Sequence, residues 1–347
     1  MLCAVIEPYL LLAAGRAPDR RRFVRAGLAA LALGSLVLVV APSAWVAALA
    51  LALSVPLWSA GLGTGQAALI EAAPEQVERL MTRWTLSASL GDLGAPALLG
   101  LAALVGAGWR ATFVVVTLLA IGLAALVRPM ARPAPPEPRE PDADAEPHAD
   151  AAPSTFAVLA RALRQPRLVA WVAGTWLCTL LDEIFVAFAV LGLEQRFAAG
   201  AGARALVLAA FLGGGALALV VVERVLLRVD GRRLLALLSA SGVVIYLAWL
   251  AAPSLGWSIV GAGLLGLTTS GQHPLAKAQA YRAAPGQAAT VNALDAVFAS
   301  LDVALPFALA WLAARAGVTA ALLVLVAQPL VLAVLALFVP PRAPRAG

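Results

Sequence analysis

The chain has 347 residues, of which 62% are hydrophobic and only 13% are charged, and its mean hydropathy is +0.91. Soluble domains are about 45–50% apolar and about 25% charged, so this composition excludes an ordinary soluble globular protein. The net charge of +6 does not indicate a nucleic-acid partner, because the cations lie in short loops between apolar runs.

The apolar runs are long enough to cross a bilayer, since about 20 helical residues span a hydrocarbon core about 30 Å thick. They lack the alternation of polar and apolar residues that a membrane β-barrel requires. The sequence therefore predicts an all-α integral membrane protein. In chain order, we expect spans near residues 1–14, 23–42, 45–70, 82–106, 109–127, 168–193, 203–222, 233–251, 256–280, 289–315 and 317–339.

The loop cations predict the orientation of these spans. Only Arg110, Arg196, Arg204 and Arg315 fall on one side, and all the remaining cations, including Lys277 and those of the C-terminal tail, fall on the other. Loops rich in Arg and Lys stay in the cytoplasm, so the C-terminus is predicted to be cytoplasmic.

Residues 128–167 form the one long polar stretch, in which Pro, Ala, Asp and Glu alternate. Such a composition cannot bury enough apolar surface to fold, so we expect a disordered cytoplasmic linker. This linker separates an N-terminal transmembrane bundle, 1–127, from a C-terminal transmembrane bundle, 168–347.

The two bundles repeat the same landmarks, which indicates an internal duplication and predicts two pseudo-symmetric bundles. Three short motifs recur 211 residues apart, and one acid–proline pair recurs 210 residues apart. The matched positions are Asp19 and Asp230, Ala41 and Ala252, Ala72 and Ala283, Asp92 and Asp302, and Pro96 and Pro306.

The repeat leaves the first bundle with five spans and the second with six. The first span, at 14 residues, reaches only about 21 Å as a helix, which is less than a bilayer core. We therefore expect that roughly 40–50 residues, carrying the first helix and part of the second, are missing before Met1 through a misassigned start or a truncated gene.

Two bundles, a long cytoplasmic linker and an Arg-rich loop in each bundle together resemble the major facilitator superfamily, whose fold has six plus six helices. The loop signature of that family is partly present as Gly15, Asp19 and Arg20, and again as Gly231, Arg232 and Arg233. The resemblance implies that these residues form a cytoplasmic gate through charge pairing. The alternative is that they only signal topology.

Two further stretches resemble helices of the same family. Gly61, Gly63 and Gly65, followed by Glu71, Pro74 and Arg79, resemble its fourth helix, where small residues allow close helix packing; Leu57 stands where many proton-coupled members have arginine. Gly91, Pro96 and Gly100 resemble the antiporter signature of its fifth helix, and with Pro306 they are predicted to bend their helices. The fifth-helix resemblance implies export.

Several acids fall within apolar runs, where a carboxylate near the bilayer centre costs about 2.5–3.5 kcal/mol. We expect Asp92, Asp182, Glu183, Asp302 and Asp295 to line a pathway for protons or for a cationic substrate, in a watery space shared by the bundles. Asp295 and Asp302 are predicted to share a helix face, and only one of Asp182 and Glu183 to face the cavity. The structural alternative is that these acids accept hydrogen bonds between helices. The resemblance adds weaker candidates for cavity lining: Gln66, Trp176, Thr268, Gln272 and His273.

The sequence therefore predicts a secondary active transporter that moves a small organic solute across a bacterial cytoplasmic (inner) membrane by proton-coupled efflux. It is expected to act as a monomer in contact with lipid. We expect the proton gradient to drive transport, with no cofactor and no metal. The sequence lacks the motifs for metal or nucleotide chemistry, and for the same reason we do not expect an enzyme. Uptake by the same fold and a transporter-like sensor that moves no solute are the alternatives.

Overall fold

The structure, a computed structural model, describes residues 2–17, 19–128 and 154–339, and over these residues the chain is helical with no β-strand. The α-helices are α1 Leu2–Arg16, α2 Arg21–Val40, α3 Ala44–Ala72, α4 Val77–Leu104, α5 Arg110–Leu126, α6 Thr155–Leu163, α7 Pro166–Leu177, α8 Phe185–Phe197, α9 Ala201–Val225, α10 Gly231–Leu250, α11 Leu255–Thr269, α12 Gln272–Ala283, α13 Ala288–Ala299, α14 Ala304–Ala316, α15 Val318–Val324 and α16 Ala327–Phe338. Short 3₁₀ helices occupy Pro74–Gln76 and Ser300–Val303.

Among the described residues, eight helical stretches are long and apolar enough to cross a membrane. Each of the eleven predicted spans coincides with one helix or with two consecutive helices. The prediction of an all-α, multi-pass membrane protein is therefore confirmed.

Three of the predicted spans are interrupted shortly before a proline. A proline has no backbone N–H and its ring clashes with the carbonyl four residues earlier, so it disturbs the helix one turn upstream. The breaks between α11 and α12, α13 and α14, and α15 and α16 contain Ser270, Asp302 and Leu325, which lie four residues before Pro274, Pro306 and Pro329.

The interruption between α7 and α8 has a different form. Residues Leu180–Ile184 make a π turn, and the Phe185 N–H donates to the Leu180 carbonyl five residues earlier. The next proline in the sequence is Pro253, far beyond this span, so proline does not explain the turn. Such π turns are rare in proteins, and where they occur they often lie at functional sites.

The chain divides into two compact units, each of which includes a segment from the other half of the sequence. Unit 1 consists of Met1–Glu75, Pro96–Gln165 and Gly286–Val297, and unit 2 consists of Gln76–Ala95, Pro166–Pro285 and Phe298–Gly347. Helix α4 therefore contributes to both units, and most of α13 belongs to unit 1. The division into bundles at 1–127 and 168–347 stays a prediction.

The predicted linker is not disordered throughout. Residues 129–153 lie outside the described residues, but α6 occupies the end of the segment and begins at Ser154, whose Oγ accepts a hydrogen bond from the Ala157 N–H. Val158 and Leu159 of α6 pack against the core of unit 1. The apolar spacing of this stretch gives it a face to bury, which the Pro-rich part of the linker does not have.

The sequence repeat has a structural counterpart at the predicted outer ends of the helices. Ser43 and Ser254, 211 residues apart, are N-caps that accept hydrogen bonds from backbone N–H groups of α3 and α11. The carbonyls of Ala41 and Ala252, two residues before these serines, accept hydrogen bonds from arginines at 3.2 and 2.8 Å.

The core of unit 2 is aromatic. Phe185 contacts Phe211 and Trp249 with ring centroids 4.9 Å apart, and Tyr246 stacks beside Trp249. All four side chains are buried, and this cluster packs directly after the π turn.

Candidate functional site

The π turn of unit 2 carries two of the predicted acids. Asp182 and Glu183 lie at its centre, and both side chains are exposed, while Leu181 and Ile184 on either side are buried. The π turn places both acids on the exposed side, and the expectation that only one of them faces the cavity stays a prediction.

Asp302 has a specific partner within unit 2. The Trp176 indole N–H donates to Asp302 Oδ1 at 2.6 Å, and both residues are half-buried. Trp176 belongs to α7 and Asp302 to the 3₁₀ turn before Pro306, so the helix break places the carboxylate beside the indole. The structure thus brings together two residues that the sequence analysis named separately.

The other predicted acids have different settings. Asp92 is exposed on α4, and Asp295 is half-buried on α13. Asp295 falls in unit 1 and Asp302 in unit 2. The 3₁₀ turn Ser300–Val303 interrupts the helix between Asp295 and Asp302, and their expected common face stays a prediction.

A chain of buried hydrogen bonds runs through the glutamines of unit 2. The Leu181 N–H donates to Gln328 Oε1 at 2.8 Å, and Gln328 Nε2 donates to Gln272 Oε1 at 3.1 Å. Gln272 Nε2 donates to the Thr268 carbonyl at 3.0 Å. Gln272 and Gln328 are both fully buried, so Gln272 does not line a cavity in this structure, contrary to the prediction.

The remaining candidates for cavity lining are less informative. Thr268 is buried, and its hydroxyl donates to carbonyls of its own helix. Gln66 on α3 and His273 beside Pro274 are half-buried. Among the described residues, no group of three or more His, Cys, Asp or Glu could hold a metal ion.

The loop signature of unit 1 forms a buried ion pair. Arg20 Nη1 lies 2.8 Å from Glu71 Oε2, and the two side chains are 4% and 13% exposed. Gly15 lies against α13, since a Cβ atom there would be 2.5 Å from the Ala289 Cβ. Asp19 accepts a hydrogen bond from the Arg21 N–H at 2.9 Å and so begins α2.

The second signature, in unit 2, has an acid at the matched position of the repeat. Asp230 is the N-cap of α10 and accepts hydrogen bonds from the N–H groups of Arg232 and Arg233. The Arg232 guanidinium donates to the Ala336 carbonyl at 2.6 Å, near the end of α16. Asp230 therefore has a structural role as a helix cap, which neither the gate nor the topology interpretation included.

Glu78, which the sequence analysis missed, is the centre of a second buried charge cluster. Its side chain is 7% exposed, and its Oε2 lies 2.7 Å from Arg282 Nη2. The Gln279 amide is 3.4 Å from Oε1, and Gly231 leaves room for the carboxylate, since a Cβ there would be 2.6 Å from Glu78 Cγ. The predicted span begins at residue 82, so Glu78 falls outside the predicted spans.

A neighbouring ion pair also lies within unit 2. Glu223 Oε1 near the end of α9 is 2.7 Å from Arg83 and 3.8 Å from Arg79 on α4. The grouping of Lys277 with the loop cations is not what the structure shows. The lysine lies inside α12 with 3% exposure, and its Nζ is 5.8 Å from the Tyr281 ring centroid.

The glycine motifs differ in their surroundings. The expected close packing is confirmed at Gly61 and Gly63, where added Cβ atoms would lie 2.9 Å from the Gly27 Cα and 2.8 Å from a Leu11 methyl. Gly91 and Gly100 have no atom within 4 Å of such a Cβ. Helix α4 is continuous through this stretch and through Pro96, so bending there stays a prediction.

Comparison with known proteins identifies the fold. The family model of the Major Facilitator Superfamily matches residues 9–301. No curated protein sequence matches the chain significantly.

Solved structures of transporters share the fold. An E. coli fucose:proton symporter is 17% identical, with a TM-score of 0.67 over 96% of this chain and 87% of that one. The human organic anion transporter MFSD10 is 18% identical, with a TM-score of 0.66 over 96% and 82%. A bacterial homologue of the iron transporter ferroportin, in an outward-facing state, is 16% identical, with a TM-score of 0.62 over 97% and 88%.

Proposed function

Because the chain belongs to the major facilitator superfamily, and is therefore a secondary transporter and not an enzyme, we propose that it exports a small organic solute in exchange for protons. The membrane it spans is, in this proposal, a bacterial cytoplasmic membrane with the C-terminus on the cytoplasmic side. The chain acts as a monomer and needs the proton gradient but no cofactor.

The observation that carries the proposal is the position of acids within the spans. The span Pro166–Phe197 contains Asp182 and Glu183, and the span Ala288–Ala316 contains Asp302. A carboxylate in the hydrocarbon core costs about 2.5–3.5 kcal/mol, so an exposed acid pair at this depth is retained for a function and faces water. Protons that bind and leave these carboxylates supply the coupling.

Trp176 gives Asp302 a distinct role in this mechanism. Its indole N–H can only donate, and it lies 2.6 Å from Oδ1, so it holds the Asp302 carboxyl group in place. In this mechanism Trp176 positions Asp302, while Asp182 and Glu183 lie on the exposed side of the π turn. Asp92 on α4 and Asp295 on α13 stay predicted pathway residues, each within its own unit.

The two ion pairs of the buried glutamates are proposed to act as the gate. Arg20–Glu71 in unit 1 and Glu78–Arg282 in unit 2 lie at helix ends that the loop cations assign to the cytoplasm. Each holds the helix ends of its own unit together, and opening towards the cytoplasm breaks or exchanges these pairs.

Export is favoured by the antiporter-like stretch Gly91–Gly100 of α4. The fucose:proton symporter is similar in fold alone and does not fix the direction of transport. Two steps test the proposal. A screen of deletion and complemented strains against a chemically broad panel of toxic compounds identifies a solute. Proteoliposomes holding a trapped pH-sensitive dye then report whether that solute drives proton movement in the opposite direction.

Asp182→Asn, Glu183→Gln and Asp302→Asn are expected to abolish solute-driven proton movement while the proteins still insert and purify normally. Glu194→Gln is the matched control, because Glu194 lies on the same span as the acid pair but is exposed at its end and pairs with Arg204. Proton movement in the same direction as the solute would refute export by exchange. Normal coupling in a variant that lacks all three acids would refute the assigned pathway, and signalling without solute movement would indicate a sensor.

A further inference from the structure

The chain of buried amides ends at the π turn that carries Asp182 and Glu183. Gln328 Oε1 accepts the Leu181 N–H at 2.8 Å, one residue before the acid pair. Gln272 Oε1 accepts a hydrogen bond from Gln328 Nε2 at 3.1 Å, and Gln272 Nε2 donates to backbone carbonyls of α10 and α11. Four helices therefore fix the position of one side-chain oxygen.

Glycines make the space that these amides occupy. A Cβ at Gly242 of α10 would lie 3.0 Å from Gln272 Nε2 and 3.4 Å from the Pro329 ring. A Cβ at Gly174 of α7 would lie 2.8 Å from a Leu335 methyl of α16. These close approaches bring α16 near enough to α7 for the Gln328 side chain to reach the backbone of the turn.

The π turn needs such an acceptor. It is the one interruption of a predicted span, among the described residues, that does not lie one turn before a proline. A backbone N–H that does not follow the regular α-helical pattern must find another acceptor in a buried setting, and Gln328 accepts the Leu181 N–H. One extra residue in a helical turn rotates the following side chains by about 100°.

We propose that Gln328, supported by Gln272, is a positioning residue that holds the π turn and thereby aims the carboxyl groups of Asp182 and Glu183. This inference rests on the proposed function, in which the acid pair exchanges protons. Without the Gln328 acceptor the segment returns to a regular α-helix, and one of the two acids turns towards the buried side.

Carboxyl-specific labelling of the full chain tests the proposal. The protein, purified in detergent, is treated with a water-soluble carbodiimide and glycine ethyl ester, and peptide mass spectrometry gives the ratio of amide formed at Asp182 to that formed at Glu183. Gln328→Met keeps the size of the side chain but removes the acceptor, and we expect it to change this ratio by about threefold or more, as a rotation near 100° requires. Gln328→Glu keeps the acceptor oxygen and is expected to restore the wild-type ratio.

Gly213→Ala is the control, since a Cβ at Gly213 has nothing within 4 Å. A folded, monodisperse Gln328→Met protein with the wild-type ratio would overturn the proposal, and so would a Gln328→Glu ratio that follows Gln328→Met. If Gln328→Met does not fold, Gly242→Ala replaces it, because the added methyl presses on the Gln272 amide; an unchanged ratio there also overturns the proposal. The labelling uses neither solute nor proton gradient, so normal transport by Asp182→Asn would defeat the proposed function and leave this result standing.

Discussion

Replacing Arg282 with alanine leaves the buried carboxylate of Glu78 without its charged partner. The Glu78 side chain is 7% exposed and the Arg282 side chain 45%, with 2.7 Å between their charged atoms. Breaking a fully buried pair costs about 3–5 kcal/mol and breaking an exposed pair at most about 1 kcal/mol. Because water already screens the arginine, and Gln279 still donates to Glu78 at 3.4 Å, we expect Arg282→Ala to lower the free energy of unfolding by about 2 kcal/mol.

Replacing the other partner of the pair, Glu78, is expected to cost less stability. Glu78→Gln leaves no buried charge, and Arg282 keeps water and Asp230 at 4.0 Å, so the loss stays below about 1 kcal/mol. The double variant is therefore expected to be more stable than Arg282→Ala alone. The difference between its effect on the free energy of unfolding and the sum of the two single effects measures the cost of leaving the Glu78 carboxylate without Arg282.

Thermal unfolding of the purified protein in detergent, at one fixed scan rate, measures these differences. The apparent Tm of Arg282→Ala is expected to fall by about 4–8 °C and that of Glu78→Gln by about 2 °C or less. Arg204→Ala, which breaks the exposed pair with Glu194, serves as the control for removing an arginine. A Glu78→Gln protein that is no more stable than Arg282→Ala would refute the reasoning from burial.

Three further predictions follow from single contacts. Gly61→Ala is expected to lower the apparent Tm, because its Cβ would meet the facing backbone of α2 and overpacking costs about 1–3 kcal/mol, whereas Gly122→Ala, which meets nothing, raises the Tm or leaves it unchanged. Tyr246→Phe removes a 2.6 Å hydrogen bond to a buried carbonyl and is expected to cost about 1–2 kcal/mol in the same unfolding assay; an unchanged Tm would show that the bond is not formed. Trp176→Phe keeps the ring but leaves Asp302 without its indole donor, so solute-driven proton movement in proteoliposomes should slow by about tenfold while the Tm stays within about 2 °C; a wild-type rate would remove Trp176 from the pathway.

The helices could be predicted because hydropathy and proline act locally. Apolar runs of about 20 residues give the spans directly, and the breaks before Pro274, Pro306 and Pro329 agree with the covalent geometry of proline. Proline alone does not fix where a helix breaks, since α1, α3 and α4 continue through Pro8, Pro56 and Pro96. The π turn could not be predicted in this way. Its acceptor, Gln328, is 147 residues away from Leu181 in sequence, and only the packing of α16 against α7 brings the two together.

The candidate site shows the same limit. Acids within apolar runs were recognisable because their cost in a membrane is independent of the fold. Glu78 was missed because a carboxylate at the edge of a span looks like a solvated loop residue until its partner is known. The signal was present in the sequence, since Arg282 immediately precedes the repeated Ala-Ala-Pro landmark of the second half, but nothing local pairs it with Glu78.

Lys277 is the only lysine of the chain and lies buried within α12. Apart from the chain's amino terminus, an acylating reagent therefore has a single side-chain amine to modify, and in the folded protein it cannot reach that amine. Lysyl acylation, read by mass at this one position, consequently counts the molecules in which unit 2 has opened, and does so without any introduced reporter group.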